Sequence, residues 1–159
     1  MSTLRNLCCV LAFYGMMTQG ALAQDSGIGV GIIAGEPTGL SLKGWLTERT
    51  AWAGAAAWSF DSNTSFHLHG DYLIHRYDLL HVENGRLPVY YGLGARVKFD
   101  DRGYGHARTR TGIRIPVGVN YHFEQAPVDL FLEVAPILDV APKTDFSINA
   151  AIGARVFFR

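Results

Sequence analysis

Between Phe66 and Tyr77 the chain reads FHLHGDYLIHRY, and four residues able to hold a proton or a metal recur at even spacing: His67, His69, Asp71 and His75. In an extended strand successive side chains alternate between faces, so these four project to one side and Phe66, Leu68, Tyr72 and Ile74 to the other. Two imidazoles at i and i+2 can share an ion, and a catalytic zinc site needs a third ligand and an open position. His122 or Asp129 are the residues that could complete such a set, although nothing in the sequence brings them near. Ser65, two before His67 on the same face, makes the hydroxyl-beside-base pair that a hydrolase requires, but Ser-x-His arises readily by chance. The reading that fits the rest of the chain is a packed, hydrogen-bonded polar core, with no metal, no cofactor and no catalytic residue.

What positions these side chains is a chain of period two throughout. The last run is the clearest: Phe146, Ile148, Ala150, Ile152, Ala154, Val156 and Phe158 alternate with Asp145, Ser147, Asn149, Ala151, Gly153, Arg155 and Phe157. An apolar face backed by a polar or small face is the pattern of a strand between two environments. The same alternation runs through 128–140, 113–123, 87–98, 64–77, 50–60, 39–47 and the stretch from Gly27, giving eight strands. Turn-forming residues separate them, the longest predicted connections being Asp78 to Gly85 and Asp100 to Thr109. Eight consecutive antiparallel strands predict an all-β, up-and-down barrel.

The first 23 residues stand apart. A lone charge at Arg5, an apolar run from Leu7 to Met17 and an Ala21-Leu22-Ala23 cleavage signature predict a secretory signal peptide at 1–23. The expected remainder, 24–159, is 159 − 23 = 136 residues and forms a single domain. Cys8 and Cys9 would leave with the signal, so no disulfide is expected. Without Arg5 the charges are 13 basic against 14 acidic, and no basic patch marks a nucleic-acid surface.

A barrel can bury its apolar face, as a soluble lipocalin-like binder of an apolar ligand does, or turn it to lipid. Two features favour lipid. The polar face is crowded with small residues (Gly29, Gly31, Ala53, Ala55, Gly92, Gly94, Gly112, Gly118), which a narrow eight-strand lumen needs if long charged side chains are to fit. Aromatic residues fall at the ends of the apolar face: Phe60, Phe66, Phe99 and Phe146 at one rim, Tyr121, Phe123 and Phe158 at the other, as interfacial girdles do.

In these features the chain resembles the small eight-stranded outer-membrane barrels of Gram-negative bacteria, of the OmpX and OmpA membrane-domain type. The resemblance spans the whole expected mature chain in architecture. It implies an outer-membrane location, lipid as a partner and dependence on the barrel-insertion machinery. The chain departs from the family's terminal aromatic, since Phe158 precedes Arg159. Sequence gives no oligomeric state.

The predicted inward network is Lys43, His67, His69, Asp71, Arg96, Lys98, Arg114, Asp129, Glu133, Asp139 and Arg155, with charges that must pair because an isolated buried ion is very costly. Pro116 and Pro136 interrupt neighbouring strands, and counting from a Glu124 to Pro127 turn sets Pro116 opposite Ala135 and Pro136 opposite Ile115. Both defects are then expected on one seam, either as bulges that bend the wall or as a lateral opening. The latter resembles the proline-flanked side openings of lipid A palmitoyltransferase barrels and implies a lipid-modifying enzyme as the alternative. The expected role is a non-enzymatic envelope barrel with a filled, charged interior.

Overall fold

The computed structural model describes residues 26–36, 38–59, 65–101 and 107–158. The predicted signal peptide and Phe60 lie outside the described residues. Among the described residues nine strands follow one another: β1 (Ile28–Gly35), β2 (Gly39–Trp45), β3 (Thr50–Ser59), β4 (Ser65–Arg76), β5 (Val89–Asp101), β6 (Ala107–Arg114), β7 (Val117–His122), β8 (Val128–Ala141) and β9 (Asp145–Phe158). β6 and β7 both lie between β5 and β8, so together they form a single stave interrupted at Ile115-Pro116. The eight staves close because β1 pairs with β9.

The register fixes the shape. From Ile28 the rungs run through Gly44, Trp52, Tyr72 and Leu93, and continue over Ile115 and Pro136 to Ile148. Ile28 itself pairs with Phe158, so the path returns displaced by ten residues (158 − 148). A stagger of that size on eight strands tilts them by ~40° to the barrel axis and leaves a lumen that side chains fill.

The inside-out polarity is unambiguous. Arg96, Glu133 and Arg155 are 5–7% exposed, whereas Leu132 and Ile148 are 54% and 58% exposed. A soluble lipocalin-like barrel would have the opposite arrangement. At the rim away from the chain ends, Trp58, Phe66 and Phe99 form a chain of ring contacts, with centroids 5.6 and 6.3 Å apart. At the other rim Tyr121 and Phe123 meet edge to face at 4.8 Å.

Two expectations are corrected. The predicted connection over Asp100 to Thr109 is shorter than expected: Phe99 pairs with Thr109 and Asp101 with Ala107, so Asp100, Asp101 and Ala107 to Thr109 belong to strands, and residues 102–106 lie outside the described residues. Asp100 and Asp101 suggested a turn, but they pair with Arg108 and Ala107 in a ladder that tolerates charged residues at its end. The prolines also do not share a seam. Pro136 accepts from Ile115 N at 3.0 Å, so its missing N–H is lost from the β8 ladder. Pro116 accepts from Gly92 N at 2.9 Å, so its missing N–H is lost from the β5 ladder. Adjacent residues of a strand bond to opposite neighbours, and the two defects therefore flank one stave at one height.

Candidate functional site

The inward face carries its polar residues in three groups along the lumen. Nearest the chain ends, Lys43 Nζ donates to Asn120 Oδ1 at 3.0 Å, lies 2.9 Å from His75 Nε2 and pairs with Asp129 at 3.6 Å. Asn120 Nδ2 donates to Asp129 Oδ2 at 2.9 Å. Arg155 reaches the same carboxylate at 3.5 Å and donates to Ser41 at 2.9 Å. Aromatic faces cover both cations: Trp45 lies under Lys43 at 4.3 Å and Phe131 under Arg155 at 3.8 Å.

In the middle, Arg114 bridges Glu133 and Asp71. Its Nε lies 3.0 Å from Asp71 Oδ1, near enough for Coulomb attraction although neither atom meets directional hydrogen-bond geometry. Tyr90 donates its hydroxyl to the other Glu133 oxygen at 2.9 Å, and His69 Nε2 lies 3.7 Å from Asp71. Toward the far end, Arg96 grips Asp139 through two parallel bonds of 3.0 and 2.7 Å, the fork geometry that guanidinium and carboxylate share. Arg96 also donates to Ser147 at 3.1 Å.

Small residues make room for these groups. A Cβ added at Gly94 would sit 1.9 Å from Asp71 Oδ1, and one at Gly112 would sit 2.4 Å from Asp139 Oδ1. Glycine is thus needed beside the carboxylates for clearance.

The structure places every residue of the predicted network on the inner face, and it joins Lys43, Asp129 and Arg155, Asp71, Arg114 and Glu133, and Arg96 and Asp139 into separate clusters. Lys98 is half-buried across the β4–β5 ladder from His67. His67 and His69 contact each other with ring centroids 5.4 Å apart, and His67 Nε2 and His69 Nδ1 find no protein hydrogen-bond partner. Among the described residues no group of three or more His, Cys, Asp or Glu has metal-ligand geometry. The Ser65 side chain lies outside the described residues. Tyr90, Asn120 and Ser41 are network members that sequence reasoning left out, while His75, singled out on the polar face of its strand, joins the Lys43 group. Tyr90 alternates in phase with Arg96, Asn120 with Arg114 and Ser41 with Lys43, and that parity along each stave was the available signal.

Behind the flanking proline defects stands Ala135, fully buried, with the Arg114–Glu133 pair on the adjoining strands. An acyl chain entering there would meet buried charge.

No family model matches the chain, and no curated protein matches it. Among solved structures it is similar to the N-terminal β-barrel domain of OprF from Pseudomonas aeruginosa, with a TM-score of 0.59 at 16% identity over 82% of this chain and 95% of that one. The Neisserial surface protein A (NspA) aligns over 82% of this chain and 93% of its own, at 16% identity with a TM-score of 0.47. The chain has the fold of the small eight-stranded outer-membrane β-barrels.

Proposed function

We propose that this chain is a non-enzymatic barrel of the bacterial outer membrane, with an envelope-structural role, lipid as its principal partner and the barrel-insertion machinery as its partner during assembly. One observation carries the reading: an ionic network sealed inside a wall whose outer face is an apolar belt. In lipid every backbone polar group must be satisfied, and a closed barrel is the β-structure that does so. A charged, filled lumen is poorly suited to a water path or to an apolar ligand. The buried ion pairs behind Pro116 and Pro136 favour this role over lipid modification, because an acyl substrate there would displace charge from its partner at high cost.

Fractionation tests it. The folded protein should stay with the outer membrane, resist osmotic shock and change its gel mobility on heating. Release in the shock fluid would refute the reading. Incubation with labelled lipopolysaccharide or phospholipid should leave the lipid unchanged, and a modified lipid would establish the enzymatic alternative.

A further inference from the structure

The longest connection is on the end that carries the chain termini. Twelve residues, 77–88, join β4 to β5, whereas 36–38 and 142–144 at the opposite end are three-residue links. The second half of this loop is sewn to the wall. Arg86 and His122 exchange backbone bonds of 3.0 and 2.8 Å, and Asn120 N donates to Pro88 O at 3.0 Å. Tyr121 then donates its hydroxyl to Asn84 O at 3.0 Å. Tyr121 belongs to the outward face, with Val117, Val119 and Phe123, so this bond draws the loop toward the lipid side of the wall. The first half is held by Arg76, which grips Asp78 at 2.8 and 2.7 Å.

Between these anchors Leu79, Leu80 and Val82 are 55%, 41% and 39% exposed. Three aliphatic side chains displayed on one tethered loop are costly in water, and the loop is continuous with the apolar belt through Tyr121. The charges in this loop and in the turns at the same end are mixed rather than basic: Arg49, Arg76 and Arg86 against Glu48, Asp78, Glu83 and Glu124.

We propose that Leu79, Leu80 and Val82 form an interfacial foot, seated in the headgroup–acyl boundary of the leaflet on the terminal side and held by apolar burial rather than by anionic lipid. The inference rests on the outward belt facing lipid. Once seated, the foot fixes how deep the barrel rides and resists its rotation about in-plane axes.

The test uses the full chain with Cys8→Ser and Cys9→Ser, carrying a nitroxide at Leu80→Cys, Leu132→Cys or Glu124→Cys, refolded into phosphatidylcholine bilayers. Collision rates with oxygen and with a water-soluble nickel complex report depth. The label at Leu132 should read deep hydrocarbon and that at Glu124 water, while Leu80 should lie ~5–10 Å into the boundary. Added salt or anionic lipid should leave the Leu80 depth unchanged. A Leu80 label as nickel-accessible as Glu124, or shielded from both probes as in a protein contact, would overturn the foot while Leu132 still read hydrocarbon. A depth that follows salt or anionic lipid would also overturn it, since charge would then hold the loop. A nickel-accessible Leu132 would instead bring down the membrane reading beneath it. Heat-dependent gel mobility verifies that each labelled chain is folded.

Discussion

Replacing Glu133 by alanine is the sharpest probe of the interior. Glu133 takes a charge-assisted bond from Arg114 and the hydroxyl hydrogen of Tyr90, and its side chain is 8% exposed. Removing one partner of a buried ion pair costs ~3–5 kcal/mol, because the other charge remains desolvated. Two features adjust that figure in opposite directions. Arg114 keeps Asp71 at 3.0 Å, which lowers the cost. Tyr90 is left with a buried, unpaired hydroxyl, which adds ~1–3 kcal/mol. A net loss near the middle of the pair range follows, ~4 kcal/mol. Reversible urea unfolding in lipid vesicles, read by the heat-dependent gel shift, should show it. With a denaturant slope of ~2 kcal/mol per molar, the midpoint would fall by ~2 M. Glu133→Ala with Arg114→Met should cost less than the two single changes added together, since the double variant no longer leaves Glu133 without its cation, while Asp71 is stranded equally in Arg114→Met alone. Additive losses, or a single-variant loss below ~0.5 kcal/mol, would refute the view that this cluster is a closed, water-free ion network.

Other outcomes follow from the same geometry. Leu132→Arg, on the outer face between the rims, should destabilise by ~2–4 kcal/mol in bilayers because it puts a charge in hydrocarbon; unfolding in vesicles measures it. Gly94→Ala should cost ~1–3 kcal/mol by forcing Asp71 from its place beside Arg114 and by pressing on the Gly70 carbonyl, and Asp71→Ala should relieve only the first part of that loss. Pro136→Ala restores a donor toward Ile115, and its new amide should be protected in hydrogen exchange by NMR. The exposed Arg76 guanidinium bonds to Asp78 and holds that carboxyl low, at about 2. Because the folded value is depressed, the interaction is in place above the ordinary carboxylate range and is lost as pH falls through about 2, which a carboxyl-carbon NMR titration would show.

Much of this was legible before any coordinates. Strict alternation settled which side of each strand Lys43, Asp129 and Arg155 occupy, because parity needs no knowledge of register. Their partners were less legible. Arg114 on β6 meets Asp71 on β4, two staves away, and that depends on the ten-residue stagger, which emerges only when the ring closes. Tyr90 and Asn120 were missed for a related reason: an aromatic and an amide share the inner face without announcing a partner. The proline error came from pairing residues correctly while ignoring ladder phase. Ile115 does face Pro136, yet the residue after it bonds to the opposite neighbour. The ends of the span from Asp100 to Thr109 were misread because charged residues at the tip of a ladder look like loop composition even while Asp100 and Asp101 still pair.

The three-residue links at 36–38 and 142–144 have a consequence for exposure to the outside world. Three extended residues reach ~10 Å at most, and a turn reaches less. Were the termini periplasmic, those corners would scarcely clear the sugar layer around them. Antibodies and phages searching the cell surface would find little there to grasp.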